Sequence, residues 1–138
     1  MASNVNIQTS ERNGRTYASS GSKWEPLVGY SRAVRTGNTI AVTGTVGIGP
    51  DGKFPAGAAA QTRRALEIVL AAIEALGGKH TDVVRTRIFV TDISRWEEIG
   101  KVHGEIFGDV RPATTMVQVA KLIDAAALVE IEADAVVL

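Results

Sequence analysis

Acidic and apolar residues alternate near the end of this chain. Within the run from Val129 to Val136, Glu130, Glu132 and Asp134 occupy alternate positions, and the other residues are apolar. Successive side chains of a β-strand point to opposite faces of the sheet, so this run predicts a strand with one apolar and one charged face. A second alternating run, residues 111–122, precedes it. The chain must therefore build a sheet whose charged face lies away from its core.

Further strands and two helices are predicted upstream of these runs. Gly37-Asn38 between two alternating segments predicts a hairpin turn. The predicted segments are strands at residues 30–35 and 39–46, a helix over residues 66–76, a strand at 84–91 and a second helix at about 95–107. The resulting β-β-α-β-α-β-β order predicts an α+β sandwich of one mixed sheet with both helices on one face.

The N-terminal segment differs in composition from the rest of the chain. Residues 1–23 are polar and rich in Ser, Asn, Gly and Arg. Such a segment has little apolar surface to offset the entropy of ordering, so we expect a loosely ordered arm there and a single domain over residues 24–138. Since no apolar stretch in the arm resembles a signal peptide or a membrane span, we expect a cytoplasmic protein without a membrane partner.

Charge and residue usage exclude several classes of function. The 138 residues include 15 basic and 15 acidic side chains, which leaves no excess of positive charge for phosphate backbones and makes nucleic acid an unlikely partner. The chain has no cysteine, which excludes disulfides, thiolate metal sites and a cysteine nucleophile. With two histidines, a metal site would need many carboxylates. We therefore predict no metal site.

The predicted arrangement leaves the second face of the sheet uncovered. Strand parity assigns to this face Arg85, Arg87, Thr114, Gln118, Glu130, Glu132 and Asp134, with Thr43, Thr45, Phe89 and Met116 beside them. The same parity turns Val117, Val119, Ile131 and Ala133 toward the helices. A mixture of acids, bases and large apolar groups is typical of a subunit interface, so the pattern favours a homo-oligomer over a monomer.

Residues 47–52 match the G-x-G-x-x-G pattern of dinucleotide sites. The last glycine of that fingerprint must open a helix. Here Pro50-Asp51-Gly52 is typical of a turn, and Lys53-Phe54-Pro55 delays the next helix. We interpret the segment as a plain turn.

Two candidate site residues lie around the loop that ends at Pro112. His103 shares a helix face with Gly100, and a histidine can titrate near neutral pH, although a hydrogen-bonded structural role is the alternative. Arg111 precedes the proline, which favours an extended or turn conformation. Its guanidinium could clamp a carboxylate, or it could pair with Asp109, Glu105 or a neighbouring subunit.

The acids of the last strand have two interpretations of their own. Glu130 and Glu132 lie on one side of the strand, about 7 Å apart. One of them could position a water molecule. Pairing of at least one with Arg85 or Arg87 is the alternative.

Several segments together resemble the RidA family, the YjgF-like reactive-intermediate or imine deaminases. The similarity spans residues 24–137. Its carriers are Gly37-Asn38, residues 40–44 (IAVTG), residues 84–92 (VRTRIFVTD), Pro112-Ala113, residues 117–122 (VQVAKL) and residues 129–133 (VEIEA).

The resemblance implies a fold, an assembly and a site. The fold is chorismate-mutase-like, and the assembly is a homotrimer with clefts between subunits that bind a small molecule. Deaminating members hydrolyse an enamine or imine to a carbonyl compound and ammonia without a cofactor. Carried over by motif, the cleft tyrosine is Tyr30, the backbone donors are Thr43 and Gly44, and the glutamate is Glu130.

The chain departs from the family pattern at three positions. Thr114 replaces the arginine that binds the substrate carboxylate, Gly100 replaces an asparagine, and Met116 occupies a position that is usually cysteine. A hydrogen bond to a charged group contributes on the order of 1.5–3 kcal/mol, which the neutral hydroxyl of Thr114 does not replace.

Three functions stay open at this point. The first is small-molecule binding with imine or enamine hydrolysis, in which Arg111, Thr114, Met116, Gly100 and His103 would line the ligand site. The second is a non-catalytic ligand sensor or interaction protein on the same fold, so the sequence leaves open whether the chain is an enzyme. The third, a ribonuclease or translation-inhibitor role, is least favoured because the charge is balanced.

Overall fold

The computed structural model describes residues 4–138, which form one mixed sheet of seven strands with three helices. The elements in chain order are β1 (Gln8–Arg12), β2 (Arg15–Ser19), α1 (Trp24–Val28), β3 (Ala33–Thr36), β4 (Thr39–Val46), α2 (Ala58–Ala75), β5 (Val83–Val90), α3 (Trp96–Phe107), β6 (Ala113–Gln118) and β7 (Val129–Val136). The strand order across the sheet is β1-β2-β3-β4-β7-β5-β6. The β5–β6 pair is parallel and the other pairs are antiparallel. From β3 onward the predicted β-β-α-β-α-β-β order is confirmed.

The expectation of a loosely ordered N-terminal arm is wrong for residues 8–19. These residues form the β1–β2 hairpin, which extends the sheet through pairing of β2 with β3. The turn is made by Asn13 and Gly14, both with positive φ (54° and 73°), as a tight hairpin requires. Backbone pairing and the full burial of Ala18 order the segment despite its polar composition. Residues 1–3 of the predicted arm lie outside the described residues.

The core lies between the sheet and helices α2 and α3. Leu66, Val69 and Ile73 of α2 are fully buried against β4 and β7. Ile131 and Ala133 of β7 are buried in the same core, as the alternation predicts. Within residues 4–138, no helix has the length and apolar character that would let it cross a membrane.

The segment that matches G-x-G-x-x-G is a turn, as expected. The Gly52 amide donates to the Gly49 carbonyl at 3.0 Å, and α2 begins only at Ala58. Gly47 is required by close packing, because a Cβ there would lie 2.1 Å from the Gln61 carbonyl oxygen. The glycine therefore serves close packing of the loop against α2.

The predicted parity of β6 is wrong. The register pairs Thr114 with Thr86 and Met116 with Ile88, and both β5 residues are buried on the helix side. The residues that turn to the helix side against prediction are Thr114, Met116 and Gln118, and Val117 turns to the open face instead. Both parities of β6 carry apolar residues, so only the pairing with β5 decides which face each one takes.

The open face otherwise follows the prediction on β5 and β7. The alternating burial of these strands leaves Arg85, Arg87, Phe89, Glu130, Glu132 and Asp134 on that face. The exception lies on β4, where the register with β7 shifts between Val42 and Thr45. Thr45 is registered with Ile131 and is buried, so Thr43 and Thr45 do not share a face as the sequence suggests. This irregularity lies beside the candidate site.

Candidate functional site

A cleft of about 1020 Å³ lies beside β4 and β7. Four residues expected at the site line it: Tyr30, Thr43, Gly44 and Glu130. Large apolar side chains supply much of the remaining wall, among them Trp24, Val28, Ile48, Phe89, Leu122 and Ile123. A mainly apolar cleft with a few converging polar groups is the usual form of a small-molecule site.

The irregular stretch of β4 brings the backbone against a carboxyl group. A Cβ on Gly44 would lie 2.7 Å from Oε2 of Glu130, so a side chain at this position would displace the carboxyl group. Thr43 is fixed beside it: its amide donates to the Arg32 carbonyl at 3.0 Å and its hydroxyl to the Ser31 carbonyl at 2.6 Å. Both proton donors of Thr43 are therefore engaged within the chain.

Glu130 lies in an environment that favours its protonated form. Burial raises the pKa of Glu130 above its ordinary value, the charge of Arg32 acts in the opposite direction, and the charge of Glu132 adds to the rise. Glu132 pairs with Arg87 at 3.1 Å, as one of the sequence alternatives has it, whereas within residues 4–138 Glu130 forms no ion pair. A half-buried carboxyl group with a raised pKa keeps its proton to higher pH than an exposed glutamate and can act as a general acid or base.

A second, smaller cavity lies where α3 meets β6. It has a volume of about 450 Å³ and is lined by His103, Gly104, Phe107, Gly108, Arg111, Pro112 and Thr114. The Nε2 atom of His103 lies 2.9 Å from the hydroxyl of buried Thr86, which lies 2.8 Å from the hydroxyl of Thr114. Burial lowers the pKa of His103, so its ring is neutral at pH 7. The geometry is that of a hydrogen-bonded histidine at the base of this cavity.

Arg111 lies at the turn between α3 and β6. Its φ is +56°, and its amide donates to the Phe107 carbonyl at 2.7 Å, so it adopts the expected turn and not the extended alternative. The partners considered for it are engaged elsewhere, Asp109 with His80 and Glu105 with Arg63. Within the described chain, the exposed Arg111 side chain forms no ion pair. Its guanidinium is available to an anionic group from outside the chain.

Gly100 and Met116 line neither cavity. Gly100 lies within α3, where an added Cβ would meet nothing within 4 Å. Met116 is partly buried and packs against the core. The residues expected at one site are thus divided within a single chain: one group lines the cleft, and His103, Arg111 and Thr114 line the second cavity.

Comparison with known proteins identifies the family. The family model described as Endoribonuclease L-PSP matches residues 21–137. This chain belongs to the RidA (YjgF-like) family. The RidA relatives include a solved structure, Rv2704 of the YjgF/YER057c/UK114 family from Mycobacterium tuberculosis. It shares 54% identity and a TM-score of 0.84 over 89% of this chain and 99% of that one.

Two RidA relatives are similar at lower identity. The first, an uncharacterized protein of Streptomyces coelicolor, is 35% identical over 117 residues, which are 84% of this chain and 87% of that protein. The second, the 2-iminobutanoate/2-iminopropanoate deaminase of Escherichia coli, is 36% identical over 97 residues, which are 67% of this chain and 76% of that protein. The α+β fold with one mixed sheet is thereby placed among RidA-family structures of the chorismate-mutase-like type.

Sequence reasoning missed two residues that build this RidA-family site. Arg32 is 6% exposed and lines the cleft, although its position in a predicted hairpin strand gives no indication of either property. Thr86 is fully buried and joins His103 to Thr114. The available signal was the alternation of β5, in which Thr86 takes the same parity as Ile88 and must find a hydrogen-bond partner inside.

Proposed function

We propose that this chain forms a homotrimer and hydrolyses a small imine or enamine in a cleft that a neighbouring subunit completes. The observation that carries the proposal is the carboxyl group of Glu130, held against Gly44 in an apolar cleft with its pKa raised by burial. The deaminase similarity supports the reaction class.

The chemistry follows from the protonation of Glu130. The protonated carboxyl group donates its proton to the imine nitrogen, which makes the carbon more electrophilic. The resulting carboxylate accepts a proton from a water molecule as the water oxygen bonds to that carbon. Glu130, protonated again by that step, donates its proton to the amino nitrogen of the tetrahedral adduct. The C–N bond then breaks to release ammonia, and the carboxylate accepts the hydroxyl proton, which leaves a carbonyl compound. Each half of the sequence needs one proton donated to nitrogen and one accepted from oxygen, so a single carboxyl group that returns to its protonated form serves both.

Completion of the cleft by a second subunit accounts for the placement of the expected site residues in two separate cavities of one chain. Strand β6 is an edge strand, and His103, Arg111 and Thr114 form a cavity beside it. If this edge of one subunit faces the Glu130 cleft of the next, Arg111 supplies the cation that Thr114 does not. The open face of the sheet, with its ion pairs of Arg87 to Glu132 and Asp134, is the surface proposed to face inward.

The test is ammonia release from imines generated in situ by a dehydratase acting on serine or threonine. We expect the protein to accelerate ammonia release over the buffer rate, and Glu130→Gln to abolish the acceleration. Glu11→Gln, which changes an exposed glutamate of β1, is the matched control and keeps the activity. Equal rates with and without protein, for both imines, would contradict the proposal.

A non-catalytic ligand sensor is the second candidate. The observation favouring it is that the Thr114 hydroxyl is already bonded to Thr86 and to the Pro112 carbonyl, at 2.8 and 3.2 Å, and no guanidinium occupies that position. A sensor would show a rise in Tm with a bound keto or amino acid while releasing no ammonia from its imine. The two functions are therefore distinguished by measuring both quantities on the same preparation.

A further inference from the structure

We propose that Arg32 is a positioning residue of the cleft, which holds the irregular backbone at Gly44 and the Tyr30 hydroxyl and thereby fixes the position of the Glu130 carboxyl group. The kinetic part of this inference rests on the proposed function. The structural part does not.

Arg32 binds the segment of β4 that leaves the regular ladder. The register shift between Val42 and Thr45 leaves polar groups of this stretch outside normal strand pairing. The Nη1 atom of Arg32 donates to the Gly44 carbonyl at 3.0 Å and to the Thr45 hydroxyl at 3.2 Å. A buried carbonyl outside the ladder needs such a donor. Arg32 therefore stabilises the bulge that brings Gly44 against Glu130.

The remaining donors of Arg32 point to other parts of the cleft wall. Nη2 donates to the Tyr30 hydroxyl at 3.3 Å and Nε to the Ser20 hydroxyl at 3.3 Å. A lysine has a single ammonium group and cannot span these directions, whereas the planar fork of arginine can. The side chain thus ties β4, Tyr30 and the segment after β2 into one arrangement.

Glu25, which does not line the cleft, balances the charge of Arg32. The two residues are each 6% exposed, and Oε2 of Glu25 lies 3.7 Å from Nη2 of Arg32. Burial acts to raise the pKa of Glu25, but hydrogen bonds from Ser20 and Ser19, with the charge of Arg32, hold it below its ordinary value. Glu25 is therefore ionised at neutral pH, and the buried guanidinium keeps a fixed counter-ion outside the cleft.

The effect on Glu130 is both geometric and electrostatic. Because Oε2 of Glu130 occupies the space beside Gly44 that a Cβ would fill, movement of that backbone changes the space available to the carboxyl group. The charge of Arg32 also lowers the pKa of Glu130 against the rise caused by burial. The other charged side chains that line the cleft with Glu130 are Glu132, Lys23, Arg64, Lys121 and Asp124.

The test compares Arg32→Gln and Arg32→Lys with Arg35→Gln. Arg35 is the matched control because it lies three residues after Arg32, within β3, and likewise donates to a carbonyl, that of Leu76, but does not line the cleft. The direct readout is the titration of the Glu130 carboxyl carbon by NMR, which needs no catalytic activity. We expect a higher midpoint in Arg32→Gln than in the wild type, and an unchanged midpoint in Arg35→Gln.

Kinetics separate the positioning role from the charge. We expect kcat for ammonia release to fall about 100-fold in Arg32→Gln, with a smaller change in KM, because misplacement of a catalytic group by about 1 Å has an effect of this size. Arg32→Lys keeps the charge and the wild-type midpoint but loses most of kcat. If Arg32→Gln does not fold, the role of Arg32 is tested by Arg32→Lys alone, which should combine the wild-type Glu130 midpoint with a much lower kcat.

The outcomes distinguish this inference from the proposed function. A wild-type midpoint in Arg32→Gln, wild-type kcat in Arg32→Lys, or equal losses in Arg35→Gln would overturn the role of Arg32. A wild-type protein that releases no ammonia, yet whose Glu130 midpoint rises in Arg32→Gln, would overturn the proposed function and support the role of Arg32.

Discussion

The carboxyl group of Glu130 lies directly over the α-carbon of Gly44, where an added Cβ would be 2.7 Å from Oε2. The contact joins the bulged part of β4 to β7 and leaves no space for a side chain. The Glu130 carboxyl group can therefore occupy its observed position only because residue 44 is glycine.

Gly44→Ala should displace Glu130 and reduce activity. We expect a loss of about 1–3 kcal/mol in the free energy of unfolding, as is usual for overpacking, together with a large fall in kcat. Urea denaturation and the ammonia assay measure the two effects. The double variant Gly44→Ala/Glu130→Asp, with its shorter side chain, should regain stability but not activity. Wild-type kcat in Gly44→Ala would show that the position of Glu130 is unimportant.

Stability should depend on pH through Glu130. Its folded-state pKa is raised above the ordinary value of 4.5, so between these two values the folded protein binds more protons than the unfolded chain. The contribution of Glu130 to the free energy of unfolding is therefore greatest below pH 4.5 and is lost as pH rises through the folded-state pKa. The difference between wild type and Glu130→Gln, measured by denaturation across this range, should fall with rising pH. A constant difference would contradict the raised pKa.

His103 should make the protein less stable as pH falls, whereas Glu130 makes it less stable as pH rises. Burial lowers its folded-state pKa below the ordinary value of 6.5, so the unfolded chain binds the additional proton first as pH falls. Its contribution is fully present above pH 6.5 and is lost as pH falls toward the folded-state pKa. His103→Gln should remove this part of the pH dependence of Tm. His80→Gln, at the histidine that pairs with Asp109, should leave it in place. Equal behaviour of the two variants would argue against a half-buried, neutral His103.

Arg111→Gln should weaken the binding of substrates that carry a carboxylate. A charge-assisted hydrogen bond contributes about 1.5–3 kcal/mol, which corresponds to one to two decades in KM or kcat/KM. Arg95→Gln removes an exposed arginine that pairs with Glu98 and is the control. Unchanged kcat/KM in Arg111→Gln, measured with a 2-imino acid, would exclude Arg111 from the site.

Thr114→Arg should raise activity toward 2-imino acids. The substitution places a guanidinium where the family resemblance implies one, and we expect kcat/KM to rise by about tenfold or more. Its cost is the hydrogen bond to Thr86, about 1 kcal/mol. Thr114→Val loses the same hydrogen bond without gaining a charge. It should therefore be destabilised as much as Thr114→Arg but should not show the gain in kcat/KM. Equal kcat/KM for the two variants would show that this position does not face the substrate.

The sequence predicts the fold well where a single physical pattern dominates. In β7 acids and apolar residues alternate from Val129 to Ala135, so the alternation predicts the observed faces of Glu130 and Ile131. In β6 both parities carry apolar residues, and the faces of Thr114 and Met116 depend on the register with β5. The hairpin at residues 8–19 was missed because composition outweighed its Asn-Gly turn signal.

The site was harder to predict than the fold. Motif similarity located four residues of the cleft wall, Tyr30, Thr43, Gly44 and Glu130. Burial of Arg32 depends on a strand irregularity and on Glu25, which belongs to a short helix. Neither feature has a periodic signature. The division of Glu130 from Arg111 between two cavities follows from topology, which brings β7 next to β4 and leaves β6 at the edge.

Subunit mixing tests most directly whether one site is shared between neighbouring subunits. Glu130→Gln and Arg111→Gln are each assayed alone, then unfolded together in equal amounts and refolded. In a trimer whose sites combine Glu130 of one subunit with Arg111 of the next, random mixing restores both residues at about one quarter of the sites. We predict recovery of about a quarter of wild-type activity toward a 2-imino acid. Activity no higher than the average of the two variants would contradict the shared site.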